Sequence, residues 1–171
     1  MTFHKKFGTI ILVLDVTIMN KKNNKTYNVL IFPAGSEIAF EINNALKYSK
    51  FVNIIGGSSV RDHSELVYKE LYIDFPYIND PNFIKFLNKF IKKHEIDYIY
   101  PAMDIVQVFL TNNKDLINSK IVTSSVDTVN ICRSKLKTYQ TLKNEYFIPK
   151  FYLNVSDIKK YPVFLKPEEG Q

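Results

Sequence analysis

From residue 27 onward, short apolar runs alternate with longer stretches whose apolar residues recur at helical spacing. This alternation constrains the fold more than any other feature of the sequence. Residues 27–32, Tyr-Asn-Val-Leu-Ile-Phe, read as a buried strand, and Pro33-Ala34-Gly35-Ser36 as a turn. Ile38, Ala39, Ile42, Ala45 and Leu46 then form one helical stripe, with Ser36 placed to cap it. A second strand is predicted over 51–55, ended by Gly56-Gly57. A short helix over 63–70 and a short strand over 71–73 follow. The clearest helix carries Phe83, Ile84, Leu87, Phe90 and Ile91 on one face, with Lys85, Lys89, Lys92 and Lys93 on or beside the wet side. Asp80 is expected to cap it, and Pro81 suits its first turn. Lys92 and Lys93 fall in the last turn, where the helix dipole favours cations.

The pattern continues with a strand over 97–100 ending at Pro101, and a helix opened by Asp104 that carries Ile105, Val108 and Phe109. A strand follows at 121–122, then short helices over 126–132 and 135–143. Strand and helix alternating with short links predict an α/β fold: a Rossmann-like parallel sheet with helices on both faces and right-handed crossovers. After Pro149 the order changes. Residues 151–153 read as a short extended piece, 155–160 as a helical turn capped by Asn154 or Ser156, and 162–166 as a strand. The expected division is a leader or flexible segment over 1–25, a Rossmann-like domain over 26–133, and the start of a second domain over 134–171.

Composition narrows the function classes. The 171 residues suit one domain and the beginning of another, and 46% apolar residues are enough for a sizeable core. The net charge of +6 is scattered rather than gathered into a basic stripe, so no nucleic-acid partner is expected. Cys132 is the single cysteine, and His4, His63 and His94 lie far apart, so neither a disulfide framework nor a histidine–cysteine metal centre is predicted. These features suit a reducing cytoplasm. The apolar run over 10–19 is interrupted by Asp15, lacks a small-residue cleavage site and is too short to span a bilayer, so no membrane partner is expected.

Four places, and a charged trio beside the first two, carry candidate chemistry. The first is the turn Gly35-Ser36-Glu37, between a strand and a helix. It is either an ordinary βα turn or part of a ligand pocket at the carboxyl edge of the sheet; it has only one glycine of the G-x-G-x-x-G fingerprint. The second, Pro101-Ala102-Met103-Asp104, is a loop at the same edge, where Asp104 is either a helix cap or a substrate contact. Arg61-Asp62-His63, after the second strand, is either a solvated loop or a pocket rim. The third is Ser134-Lys135, which opens a helix. A lysine there meets the positive end of the dipole, a small conflict that a bound polyphosphate would relieve. The fourth is Lys166, which follows the apolar run Pro162-Val163-Phe164-Leu165 and precedes the acidic turn Glu168-Glu169-Gly170; a strand-end lysine beside such a turn suits phosphate oxygens. No nucleophile with a paired base is evident, and no catalytic residue is assigned.

Taken in order, these segments resemble the ATP-grasp superfamily, in particular proteins similar to the carbamoyl-phosphate synthase large subunit. The resemblance runs from Tyr27 to Gln171. Its carriers are Asn28-Val29-Leu30-Ile31 with Gly35, Asp97 to Pro101 with Asp104, Ser134-Lys135 through Leu142 with Ile148-Pro149, and Val163-Phe164-Leu165-Lys166-Pro167 with Gly170. The resemblance implies the N-terminal part of a ligase, cut off early in an ATP-grasp α+β domain. Such a ligase uses ATP and Mg²⁺ to activate a carboxylate as an acyl-phosphate that an amine or a related nucleophile then attacks. It implies that Lys135, Lys166, Glu168, Glu169 and Gly170 handle the nucleotide, and that Gly35, Ser36, Glu37 and Asp104 shape the acceptor pocket. Magnesium ligands would lie beyond residue 171, residues 1–171 alone would not turn over, and a homodimer is compatible with it. Ser134 departs from the acidic residue that often precedes the lysine. The competing reading is a Rossmann-type nucleotide or dinucleotide module without ligase activity.

Overall fold

The computed structural model describes residues 25–169. The predicted leader, apart from Lys25, and Gly170 lie outside them. Among the described residues five parallel strands form one sheet: β1 (Tyr27–Phe32), β2 (Val52–Gly57), β3 (Leu71–Tyr72), β4 (Tyr98–Pro101) and β5 (Lys120–Ile121). The spatial order is β3-β2-β1-β4-β5. Parallel neighbours need crossovers, and three contain α-helices: α1 (Glu37–Leu46), α2 (Phe83–His94) and α3 (Asp104–Asn112); between β2 and β3 the helix expected over 63–70 is only a 3-10 turn, His63–Leu66. Two further helices, α4 (Val126–Arg133) and α5 (Lys135–Thr141), follow the last strand. The α/β architecture with helices on both faces is as the alternation predicts.

Strand alternation divides the core in two. Leu30, Phe32, Ile55 and Ile99 face α2 and α3, and pack with Phe83, Leu87, Phe90, Val106 and Leu110. Val29 and Ile31 face the other way, toward Ala39 of α1 and Tyr68. Register keeps each set together: Val29 stands opposite Ile54 on one side and Tyr98 on the other. Gly56 lies inside β2 rather than after it. A β-carbon there would come within 2.8 Å of both Leu71 Cδ1 and Tyr68 Cδ1, so only glycine lets Tyr68 lie on the sheet. The Tyr68 hydroxyl donates to the Ala39 carbonyl at 2.9 Å, and burial pushes its pKa up.

The amino edge of the sheet is held by polar contacts. Asp97 accepts from Lys25 Nζ at 2.6 Å and from the Asn28 amide at 3.0 Å. The lysine hydrogen bond first, and the backbone bond with it, hold the Asp97 carboxyl below its usual range, while the same bond raises Lys25. The α2 C-terminus ends on Glu95 with a left-handed φ of 50°, without the glycine that usually serves there. Asn28 compensates by donating to the carbonyls of His94 and Glu95, at 3.0 and 3.3 Å. On the far edge the Tyr72 ring packs at a tilt against His94, and its hydroxyl donates to Glu70. Burial, then that bond, raises its pKa.

Several local expectations need correction. Of the expected α1 stripe, Ala39 is buried and Ile42 partly so, but Ile38 is half exposed and Ala45 exposed, and Asn43 is buried in their place; a single helix above a twisted sheet covers a narrower stripe than the spacing suggested. The residue capping α2 is Asn82, and Asp80 instead accepts the Asn82 amide at 2.7 Å in the turn before it. Asp104 is the first residue inside α3, and Met103 stands at the cap. The largest departure concerns residues 162–166, which join no ladder among the described residues. Phe164 and Leu165 are each 92% exposed. No described strand runs beside them to satisfy their amide groups, and apolar composition alone does not make a strand.

Candidate functional site

Two concavities collect the candidate residues. The first is a crevice of about 790 Å³ at the carboxyl ends of β1, β2 and β4. The strand order reverses direction between β1 and β4, and open α/β sheets bind ligands outside their carboxyl ends at such a point. Three hydrogen bonds draw the loops together there. Ala34 N donates to Gly57 O at 2.7 Å, Ala102 N to Phe32 O at 2.8 Å, and the Ser36 hydroxyl to Ala102 O at 2.7 Å. Ser36 also accepts the Ala39 amide at 3.1 Å, the cap its position predicted.

Gly35 and Ser36 line this crevice, whereas Glu37 and Asp104 do not. Asp62 lines it as well, so this member of the charged trio stands at the pocket rim. Its carboxylate rests against Gly35, where a β-carbon would overlap Asp62 Oδ2 at 1.9 Å. Asp62 Oδ1 accepts the Ser64 amide at 2.8 Å. The other two members of the trio turn away: Arg61 pairs with Glu65 at 3.0 Å, and the His63 ring packs on Phe40 at 4.9 Å. Ser58, Ser59, Asn79 and Asn113 also line the crevice and had not been singled out. They sit in loops without a periodic signal, although the Gly-Gly before Ser58 marks the place where the chain leaves the sheet.

The second concavity is a cleft of about 660 Å³ lined by α5 and residues 149–168. Lys135 and Lys166, roughly thirty positions apart, both line it, as do Tyr139 and Phe151, whose ring centres are 5.5 Å apart. The acidic turn folds onto the start of α5. The Lys135 amide donates to the Glu168 carbonyl at 3.0 Å, and the Ser134 hydroxyl to Glu168 Oε1 at 2.8 Å. Ser134 is 1% exposed and its oxygen also accepts the Lys137 amide, so it is both cap and anchor. Glu169 lies 3.6 Å from Arg133 Nε, and Arg133 Nη1 lies 3.8 Å from Asp104. The conflict expected for a lysine at a helix start is thus offset within the chain, by carboxylates of the turn that follows Lys166. Among the described residues no cluster of three His, Cys, Asp or Glu side chains could hold a metal ion. No described helix is long and apolar enough to cross a membrane.

No family model matches the chain, and no curated protein matches it. Among solved structures, it is similar to N5-carboxyaminoimidazole ribonucleotide synthetase from Thermotoga maritima. The identity is 17% and the TM-score 0.47, over 70% of this chain and 30% of that one. The chain therefore spans less than a third of the length of that protein.

Proposed function

We propose that this chain is the front part of an ATP-dependent carboxylate–amine ligase of the ATP-grasp type, similar to the carbamoyl-phosphate synthase large subunit, working in the cytoplasm through an acyl-phosphate. The observation that carries the reading is the convergence of Lys135 and Lys166 on one cleft. Two ammonium groups on one rim suit a polyphosphate, because each supplies three donors and a full charge. Tyr139 and Phe151 give the same cleft an aromatic wall against which a base can lie.

In this reading ATP supplies the phosphoryl group that activates a carboxylate, and phosphate leaves when the amine attacks the acyl carbon. The chain's own residues position these groups. Lys135 and Lys166 hold the phosphate oxygens, and the turn at Glu168 and Glu169 opens from Ser134 and Arg133 to admit them. The crevice at Gly35 and Ser36 receives the acceptor. The described residues offer no ligand set for magnesium, so no step is assigned to the ion.

Binding is tested by titrating the 171-residue chain with ATP. The reading expects affinity no tighter than about millimolar, no turnover, and further loss in both Lys135→Ala and Lys166→Ala. Submillimolar binding that survives both substitutions, or product formation by this chain, would contradict it.

A further inference from the structure

The crevice has a chemical polarity that its position in the fold does not dictate. Its floor and walls are largely apolar, with Phe32, Ile78, Met103, Val106 and Phe109 among them. Among the described residues Asp62 is the one charged side chain lining it, and no lysine, arginine or histidine does. The serine hydroxyl hydrogens at its rim are already committed. Ser36 donates to Ala102 O at 2.7 Å, Ser58 to Val60 O at 2.8 Å, and Ser59 to Pro76 O at 3.0 Å. Asn113 likewise spends an amide hydrogen on Phe109 O at 2.8 Å. The lining still holds neutral donors, among them the second Asn113 amide hydrogen, but the full charge facing the crevice is the acceptor-only carboxylate of Asp62.

The nearby helix starts do not reverse this. A helix N-terminus attracts anions, but α1 and α3 carry Glu37 and Asp104 in their first turns, and Ser36 already takes one of the α1 amides. Nor is Asp62 neutralised by its neighbours, since Arg61 is turned to Glu65.

We propose that the crevice receives a small molecule with an apolar body and a protonated amine, with the ammonium on Asp62, and that it discriminates against phosphate-bearing ligands. This builds on the reading of the crevice as the acceptor pocket and names the class of acceptor; it does not depend on the lysine cleft. A protonated amine brings the positive charge that the described lining lacks and donors for the Asp62 carboxylate, and an aryl or alkyl body fills the apolar floor.

The test is an amide NMR titration of the 171-residue chain with phenethylamine, phenethyl alcohol and phenyl phosphate in turn. Phenethylamine should shift the Gly35, Ser59, Asp62 and Asn113 amides together and bind roughly tenfold more tightly than the alcohol. Phenyl phosphate should leave these amides in place. Asp62→Asn keeps an oxygen for the Ser64 amide, and should bring the amine down to the affinity of the alcohol. The proposal is overturned if phenyl phosphate shifts the same amides as tightly as the amine, if the amine keeps its advantage in Asp62→Asn, or if none of the three probes moves them. The comparison of probes on the unsubstituted chain decides the matter even if Asp62→Asn does not fold. Adding inorganic tripolyphosphate to the same sample separates the two proposals. Amine binding in the crevice with silence at Lys135 and Lys166 would remove the ATP reading and leave this one standing; the reverse would do the opposite.

Discussion

Residues 27–133 and residues 134–169 are both rich in apolar side chains, yet only the first stretch buries them. Leu30, Ile31, Ile99 and Leu110 are fully buried, whereas Phe164 and Leu165 are each 92% exposed and Tyr146 97%. In the second stretch Ser134 is the only buried residue among those described. The difference lies in partners rather than composition. Each strand of the sheet has a neighbour for its amides and a helix for at least one face, while residues 162–166 have neither among the described residues. An apolar run becomes a strand only when something else in the molecule completes it.

That contrast is most exposed to a pair of substitutions. Ile99→Ala empties a fully buried site in the core cluster that faces α2 and α3, and should cost about 2–5 kcal/mol of stability in urea unfolding. Leu165→Ala should stay within about 0.5 kcal/mol. Comparable losses from both would erase the distinction. Gly56→Ala should come next, at about 1–3 kcal/mol, because the new methyl meets the Tyr68 ring and Leu71; a neutral result would mean that Tyr68 is not held against the sheet.

The comparison is sharpened by hydrogen exchange. Amides of β1 and β4 should be protected to near the global unfolding limit, while those of 162–166 should exchange almost freely. Protection in the latter would reveal a ladder partner. The smallest effect is expected at the amino edge of the sheet. Asp97 has a depressed folded-state pKa, so its contribution is fully present above the ordinary carboxylate range, near pH 4, and is lost as pH falls through and below it. Asp97→Asn should therefore flatten the acid limb of the stability curve and change little at neutral pH beyond a constant offset. An unchanged acid limb would show that Lys25 and Asn28 do not hold this carboxylate.

The sheet was legible because strand burial and helical spacing are local signals. Residues 27–32, the face of Phe83, Leu87, Phe90 and Ile91, and the Ser36 cap could each be read within a dozen residues. The exposure of Ile38 could not, because it depends on how far a neighbouring element reaches across the sheet. The strand expected over 162–166 failed for the same reason. Of the candidate site, Gly35 and Ser36 stand out from a turn, Lys135 from a helix start and Lys166 from an expected strand end, and each lines a concavity. Glu37 and Asp104 line neither. The place of Asp62 in the crevice depends on a loop folding back across Gly35, and the clasp of Glu168 on Ser134 joins residues 34 positions apart. Neither leaves a periodic trace.

The central claim is that Lys135 and Lys166 serve one anion. It is tested most directly by following the side-chain Cε–Hε signals of both lysines while inorganic tripolyphosphate is added to the chain. The account predicts that the two signals move along one common binding curve, and that Lys135→Met weakens the response of Lys166 as Lys166→Met weakens that of Lys135. Movement of one lysine alone, or two curves that stay independent in the single variants, would contradict it.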